Sequence, residues 1–242
     1  MLKFGLIGKS LSHSFSKTFF KDFFQRNNIV GEYSNYEIPS IEGISEVFYN
    51  EKVKGLNVTI PYKQTIIPYL DKLSEEALKI GAVNVVQFKD GLKIGHNTDA
   101  YGFHQSIKPF LTNLHERALI IGTGGASKAV EYIFNSLGID VIFISRNPDK
   151  ENQFGYDDIN EHMLRACKVI VNCTPVGTYP NVDESIPFPF EYLSQDHLVV
   201  DLIYNPLETV FLKKSKEFGA TTLNGESMLH QQALKAWEIW NL

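Results

Sequence analysis

Short runs of apolar residues rich in Val and Ile alternate along this chain with longer stretches whose apolar positions recur at helical spacing. A strand covered on both faces reads as a continuous apolar run, and a helix packed on one side reads as an amphipathic segment. The alternation therefore predicts an α/β fold of βαβ units around parallel sheets. In the first hundred residues the strand-like runs are 4–7, 33–38 and 56–60, and Phe19, Phe20, Phe23 and Phe24 mark one face of a helix between the first two. Residues 83–88 and 92–97 flank Asp90-Gly91, a strong two-residue hairpin signal. If Lys89 pairs with Leu92, Asn84 lies opposite Asn97, which brings Asn84 and Asp99 to the same end of the ribbon.

The second half opens with a strand at 117–121, the loop Gly122-Thr123-Gly124-Gly125-Ala126-Ser127 and a helix that Gly138 stops after about residue 137. Strands are expected at 141–144, 169–171, 198–202 and 221–223, with little more than one helix between 147 and 165. A last helix, about 227–240, carries Leu229, Ala233, Trp237 and Trp240 on one face and is expected to pack back on the first domain. Two domains follow: residues 1–102 completed by 227–242, and residues 103–226. Ligand sites favour domain interfaces and the carboxyl ends of strands, so the expected active site is a cleft between the two.

Composition narrows the function. With 43% apolar and 21% charged residues in 242, the chain suits a folded globular protein, and a net charge of -5 argues against a nucleic-acid partner. No run approaches the roughly 18 apolar residues of a membrane helix, and residues 1–8 are too short an apolar start for a signal peptide. A cytoplasmic location without membrane partners is expected. Cys167 and Cys173 flank an expected strand and read as core thiols. His13, His96, His104, His115, His162, His197 and His230 reproduce no ligand spacing, so no metal is expected, and His13, beside Ser14, suits local hydrogen bonding.

A strand feeding a glycine-rich loop and a helix presents backbone N–H groups to a pyrophosphate, although the same string also suits a tight turn without ligand. Ser145-Arg146-Asn147 ends the next strand, with Arg146 24 residues after Gly122. NAD-preferring folds place an acidic residue there, whereas a guanidinium pairs with a 2′-phosphate, which favours NADP(H); the alternative is an exposed strand-end arginine. In Gly55-Leu56-Asn57-Val58-Thr59-Ile60-Pro61-Tyr62-Lys63 the proline should end the strand and leave Thr59 and Lys63 at a strand-to-helix junction. Taken alone, Lys63 reads more readily as a solvated lysine at a helix start than as a site residue.

The strings GKSLSHSFS (8–16), NVTIPYK (57–63), GAVN (81–84), NTD (97–99), GTGGAS (122–127), NCTPVG (172–177) and MLHQQ (228–232) occur in an order, over nearly the whole chain, that resembles the shikimate dehydrogenase family. The resemblance implies an α/β substrate domain, a Rossmann-like NADP(H)-binding domain and reduction of 3-dehydroshikimate to shikimate, a step in aromatic amino acid biosynthesis. It implies that Ser14 and Ser16 bind the substrate carboxylate, that Thr59, Asn84 and Gln232 surround the ring hydroxyls with Tyr204 as a further contact, and that Lys63 and Asp99 form the catalytic pair. Tyr204 suits a packed tyrosine equally well. For the cofactor it implies Gly122, Gly124, Gly125 and Ala126 at the phosphates, Arg146 at the 2′-phosphate, and Thr174, Gly225 and Met228 near the nicotinamide. Lys17 and Ala100 stand where the family usually has proline and glycine, and Ser145-Arg146-Asn147 replaces its common Asn-Arg-Thr. Two rival readings are a quinate/shikimate dehydrogenase with relaxed NAD or NADP use and a catalytically silent NADP-binding sensor. The assembly is expected to be a monomer or a homodimer.

Overall fold

A computed structural model describes residues 1–11, 14–50 and 53–242, so the expected role of His13 lies outside the described residues. The backbone divides into two compact units, Met1–Thr98 with Ala233–Leu242, and Asp99–Gln232.

The first unit contains β1 (Leu2–Gly8), α1 (Phe15–Arg26), β2 (Gly31–Glu37), α2 (Ile44–Asn50), β3 (Gly55–Val58), β4 (Lys72–Leu73), α3 (Glu75–Ile80), β5 (Val85–Lys89) and β6 (Leu92–His96). The sheet order is β2-β1-β3-β5-β6-β4. Strands β2, β1 and β3 run parallel, whereas β5 pairs antiparallel with both β3 and β6, so this sheet is mixed where a parallel one was expected. The hairpin is the cause: Lys89 pairs with Leu92, and Asp90 and Gly91 both take positive φ, 52° and 77°, as its two-residue turn requires. Strand β3 stops at Val58, two residues short of expectation, and turns follow in place of an α-helix until the 3-10 turn Ile67–Tyr69. The Lys63 carbonyl accepts from Val83 N–H at 2.7 Å, and Pro61 and Pro68 lack a donor, so a helical ladder has nothing to propagate through.

One face of this sheet is covered by aromatics. Phe4, Phe20, Phe24, Tyr33 and Trp240 share a core, with Phe4 and Trp240 stacked at 4.9 Å between ring centroids. The Trp240 indole lies directly on Gly55, where a Cβ would overlap it, and its Nε1 donates to the Val86 carbonyl at 3.1 Å.

The second unit contains α4 (Asp99–Ile107), β7 (Arg117–Ile121), α5 (Gly125–Ser136), β8 (Asp140–Ile144), β9 (Gln153–Phe154), α6 (Glu161–Ala166), β10 (Val169–Asn172), β11 (Leu198–Asp201), α7 (Val210–Glu217), β12 (Thr221–Leu223) and the first part of α8 (Glu226–Trp240). Its six strands are all parallel in the order β12-β11-β10-β7-β8-β9, a doubly wound sheet whose order reverses between β7 and β10. Strand β9 lies in the segment expected to hold little besides a helix; two residues are too few to show a period, and the strand exists because β8 offers it an edge. Residue 102 falls inside α4, which joins the second unit whole, and α8 changes unit after Gln232.

Candidate active site

In the first unit the polar residues gather at the carboxyl ends of β1 and β3, on either side of the point where strand order reverses. Thr59 N–H donates to the Ile7 carbonyl at 2.9 Å, and a Cβ at Gly8 would stand 2.8 Å from Thr59 Cγ2, so Thr59 sits against the end of β1. The loop leaving β1 is held by β2: Asn35 Nδ2 donates to the Leu11 carbonyl at 3.0 Å, and Leu11 N–H donates to the Glu37 carboxylate. That loop delivers Ser14 as the N-cap of α1, its Oγ accepting from Lys17 N–H at 3.4 Å.

Ser16, in the first turn of α1, hydrogen-bonds the Tyr33 hydroxyl, which donates to Asn57 Oδ1 at 2.7 Å. Burial pushes the Tyr33 phenol far above its ordinary value, with the Ser16 bond opposing it, so Tyr33 remains a neutral donor. Asn57 Nδ2 in turn donates to the Asn84 carbonyl at 3.4 Å. The Asn84 side chain is turned to the next segment: its Oδ1 accepts from Thr98 N–H at 2.7 Å and its Nδ2 donates to Thr98 Oγ1 at 3.0 Å. Asn97 Nδ2 donates to the Ala82 carbonyl at 2.9 Å. The strings GAVN and NTD are thus bolted together by their own amides, and the residue immediately before Asp99 is fixed by Asn84.

In the second unit Asp99 opens α4, and Gly102 one turn later allows α4 to lie directly on α8. A Cβ at Gly102 would stand 2.6 Å from the Met228 carbonyl oxygen and 3.2 Å from Gln232 Cβ. Asp99 from one string, and Met228 and Gln232 from another, therefore belong to one helix pair. The glycine loop follows β7 at the switch point. Gly122 has φ of 102°, and a methyl group there would meet Thr174 Cγ2 at 3.0 Å, so only glycine suits the conformation and the approach. Gly124 is the N-cap of α5, with nothing within 4 Å of a Cβ built on it, and the first turn of that twelve-residue helix carries no acidic side chain. Open space and a helix N-terminus without opposing charge suit a dinucleotide phosphate. Arg146 is exposed after β8, near enough to Tyr156 for its charge to oppose the burial-raised phenol pKa.

Thr174 is set by a buried network that sequence reasoning missed. Asn172 Oδ1 accepts from both Thr174 N–H, 2.9 Å, and Thr174 Oγ1, 2.7 Å, while Asn172 Nδ2 donates to Asp201 Oδ1 at 3.1 Å. Asp201 Oδ1 also accepts from Ile203 N–H at 3.1 Å, and Oδ2 from Thr209 Oγ1 at 2.7 Å. Burial pushes the Asp201 carboxyl up to about 6 against these donors. Gly225, where a Cβ would overlap the Leu202 carbonyl, donates its N–H to the Ile203 carbonyl at 2.9 Å. Tyr204 is partly exposed beside Ile203. Asn57 and Asn172 lie within the strings NVTIPYK and NCTPVG, which is the one signal that could have found them; Tyr33, Asp201 and Thr209 had no local signal.

Residues 6–86 match the family model described as the shikimate dehydrogenase substrate binding domain. A shikimate dehydrogenase (NADP(+)) of Methanosphaera stadtmanae is 38% identical over 255 aligned positions, covering 98% of this chain and 90% of the relative. The chain belongs to the shikimate dehydrogenase family. Among solved family members, shikimate dehydrogenase 1 of Peptoclostridium difficile superposes with a TM-score of 0.86 at 39% identity, covering all of this chain and 92% of that one. The shikimate dehydrogenase structure from Thermus thermophilus, in complex with NADP(H) and shikimate, gives 0.87 at 30% identity over 99% of this chain and 93% of that one. The two-domain α/β fold is that of the shikimate dehydrogenases. Among the described residues no helix is long and apolar enough to cross a membrane, and no three His, Cys, Asp or Glu side chains converge as a metal site would.

Proposed function

We propose that this chain catalyses the reversible NADPH-dependent reduction of 3-dehydroshikimate to shikimate. The observation that carries the reading is the coexistence, in a family member that spans 90% of a shikimate dehydrogenase relative, of a glycine turn suited to a phosphate at the β7/β10 switch point and a polar set at the β1/β3 ends. In this reading the first unit holds the substrate and the second the nucleotide. The enzyme works in the cytoplasm as a monomer or homodimer, without nucleic acid or membrane partners.

NADPH, when bound, supplies the hydride. The N–H groups of Gly124, Gly125 and Ala126 and the N-terminus of α5 would receive its pyrophosphate on the turn that Gly122 makes, whose own N–H donates to the Ile144 carbonyl at 2.8 Å; Arg146 would take its 2′-phosphate, and Thr174, Gly225 and Met228 would border the reacting ring. Ser14 and Ser16 take the substrate carboxylate, while Thr59, Asn84, Gln232 and Tyr204 hold ring hydroxyls. Reduction of the ketone leaves negative charge on its oxygen. The Lys63 ammonium stabilises that charge and supplies or relays the proton, and the Asp99 carboxylate orients the ammonium and an adjacent hydroxyl.

The test is the rate of NADPH formation from shikimate and NADP+, set beside quinate and NAD+. Preference for the first pair supports the reading, faster turnover of quinate or NAD+ selects the relaxed-specificity enzyme, and nucleotide binding without turnover selects the sensor. Lys63→Ala should lower kcat by about 10²–10⁴-fold in a folded protein, and unchanged turnover would remove Lys63 from the mechanism.

A further inference from the structure

The groups expected to border the reacting ring follow two strands, Thr174 after β10 and Gly225 and Met228 after β12, and one buried carboxylate at the end of β11 joins those segments. Asp201 ends β11 with no exposed surface. Through Asn172, at the end of β10, it fixes Thr174: an Asn172 amide that donates Nδ2 to Asp201 must turn Oδ1 toward the Thr174 N–H and hydroxyl. The opposite amide orientation would set two acceptors face to face at Asp201 and two donor groups together at Thr174, so Asp201 dictates which way Asn172 points. Through Ile203 it fixes the loop after β12, because the Ile203 N–H donates to Asp201 while the Ile203 carbonyl accepts from Gly225 N–H, at the start of α8. Its second oxygen is held by Thr209, the N-cap of α7, which secures the carboxylate from the far side.

We propose that Asp201, acting through Asn172 and Ile203, is a positioning residue for the nicotinamide end of the nucleotide site. It touches neither cofactor nor substrate; it sets the direction of Thr174 and the height of Gly225, so its loss should weaken the nucleotide site and leave the substrate site intact. The inference rests on the reading of Thr174 and Gly225 as nucleotide contacts.

The test uses the purified full chain and calorimetric titration with NADP+ alone, followed by KM values for NADP+ and shikimate. Asp201→Ala and Asn172→Ala should each weaken NADP+ binding by about tenfold, the loss of one buried polar link, with the shikimate KM within about twofold of wild type. Asp201→Asn keeps an oxygen for Asn172 and Ile203 and should restore most of the affinity. The double alanine variant should be no worse than the weaker single one, since both break the same link. Should Asp201→Ala fail to fold, Asn172→Ala and Asp201→Asn carry the same comparison. The proposal is overturned if NADP+ affinity is unchanged while only the melting temperature falls, if the KM values for NADP+ and shikimate rise together, if Asp201→Asn is as weak as Asp201→Ala, or if the two alanine effects add. Wild-type protein that binds NADP+ but does not turn over shikimate would instead sink the proposed function, leaving the titrations to decide the role of Asp201.

Discussion

Replacing Gly102 with Ala sets two effects of similar size against each other. Gly102 lies inside α4, where alanine is favoured over glycine by about 1 kcal/mol of helix propensity. The added methyl, however, would stand 2.6 Å from the Met228 carbonyl oxygen. That is roughly 0.7 Å short of an ordinary carbon-to-oxygen contact. The obstacle is backbone within α8, so the two helices must separate, and overpacking of this kind costs about 1–3 kcal/mol. The net loss of stability should be small, about 0–2 kcal/mol. Asp99 sits one turn before Gly102, and Gln232 is among the atoms the methyl meets, so the separation moves the two against each other. A misplacement approaching 1 Å costs up to about 10²-fold in rate, so kcat/KM for shikimate should fall by about tenfold or more. Gly43→Ala, whose methyl meets only Ile38 at 3.6 Å, is the matched control. Steady-state kinetics and urea unfolding on the three proteins decide the matter. Wild-type kcat/KM in Gly102→Ala, or a loss that merely tracks the fraction unfolded, would refute the reasoning.

Stability of Asp201→Asn relative to wild type should rise with pH. The folded carboxyl titrates near 6 against an ordinary 3.8, so between these values the folded state holds a proton that the unfolded state has lost, and wild type loses stability as pH increases through that window. The roughly two-unit shift corresponds to up to about 3 kcal/mol, complete by about pH 7. Burial lowers the pKa of His96, His115 and His197, which destabilises the fold as pH falls below their ordinary value, but both proteins share that slope and it cancels in the difference; equal curves across the window would reject the assignment. Gly122→Ala, forced to a φ of 102° and against Thr174, should weaken NADP+ binding in a calorimetric titration without changing shikimate KM, and an unaltered titration would count against the glycine turn. Trp240→Ala removes the ring that stacks on Phe4 and seals Gly55, and should cost about 3–5 kcal/mol by urea unfolding, a loss under 1 kcal/mol being inconsistent with that packing.

Much of this molecule was legible from its sequence where a signal is local. The Asp90-Gly91 turn fixed the β5/β6 register, and the alternation of apolar runs located the five longer strands of the second sheet, because backbone stereochemistry and burial act over a few neighbouring residues. Strand β9 and the turns after Pro61 were not legible, since both are decided by partners distant in the chain: an edge on β8 in one case, Val83 on the Lys63 carbonyl in the other. The same division runs through the site. Glycines, Ser14, Lys63 and Asp99 sit in recognisable strings, whereas Tyr33 reads as one more aromatic in a strand and Asp201 as one more strand-end acid. Their importance lies in bonds to Ser16, Asn57, Asn172 and Ile203, which only folding creates.

The first unit is discontinuous, borrowing Ala233–Leu242 from the far end of the chain. During synthesis its sheet leaves the ribosome long before Trp240 is made, with Phe4, Phe20 and Phe24 uncovered on one face and Gly55 bare. The residues that close the first core are therefore translated well after its sheet, and a chain stopped just before Trp240 would carry every proposed site residue yet leave that aromatic face open to aggregation or proteolysis.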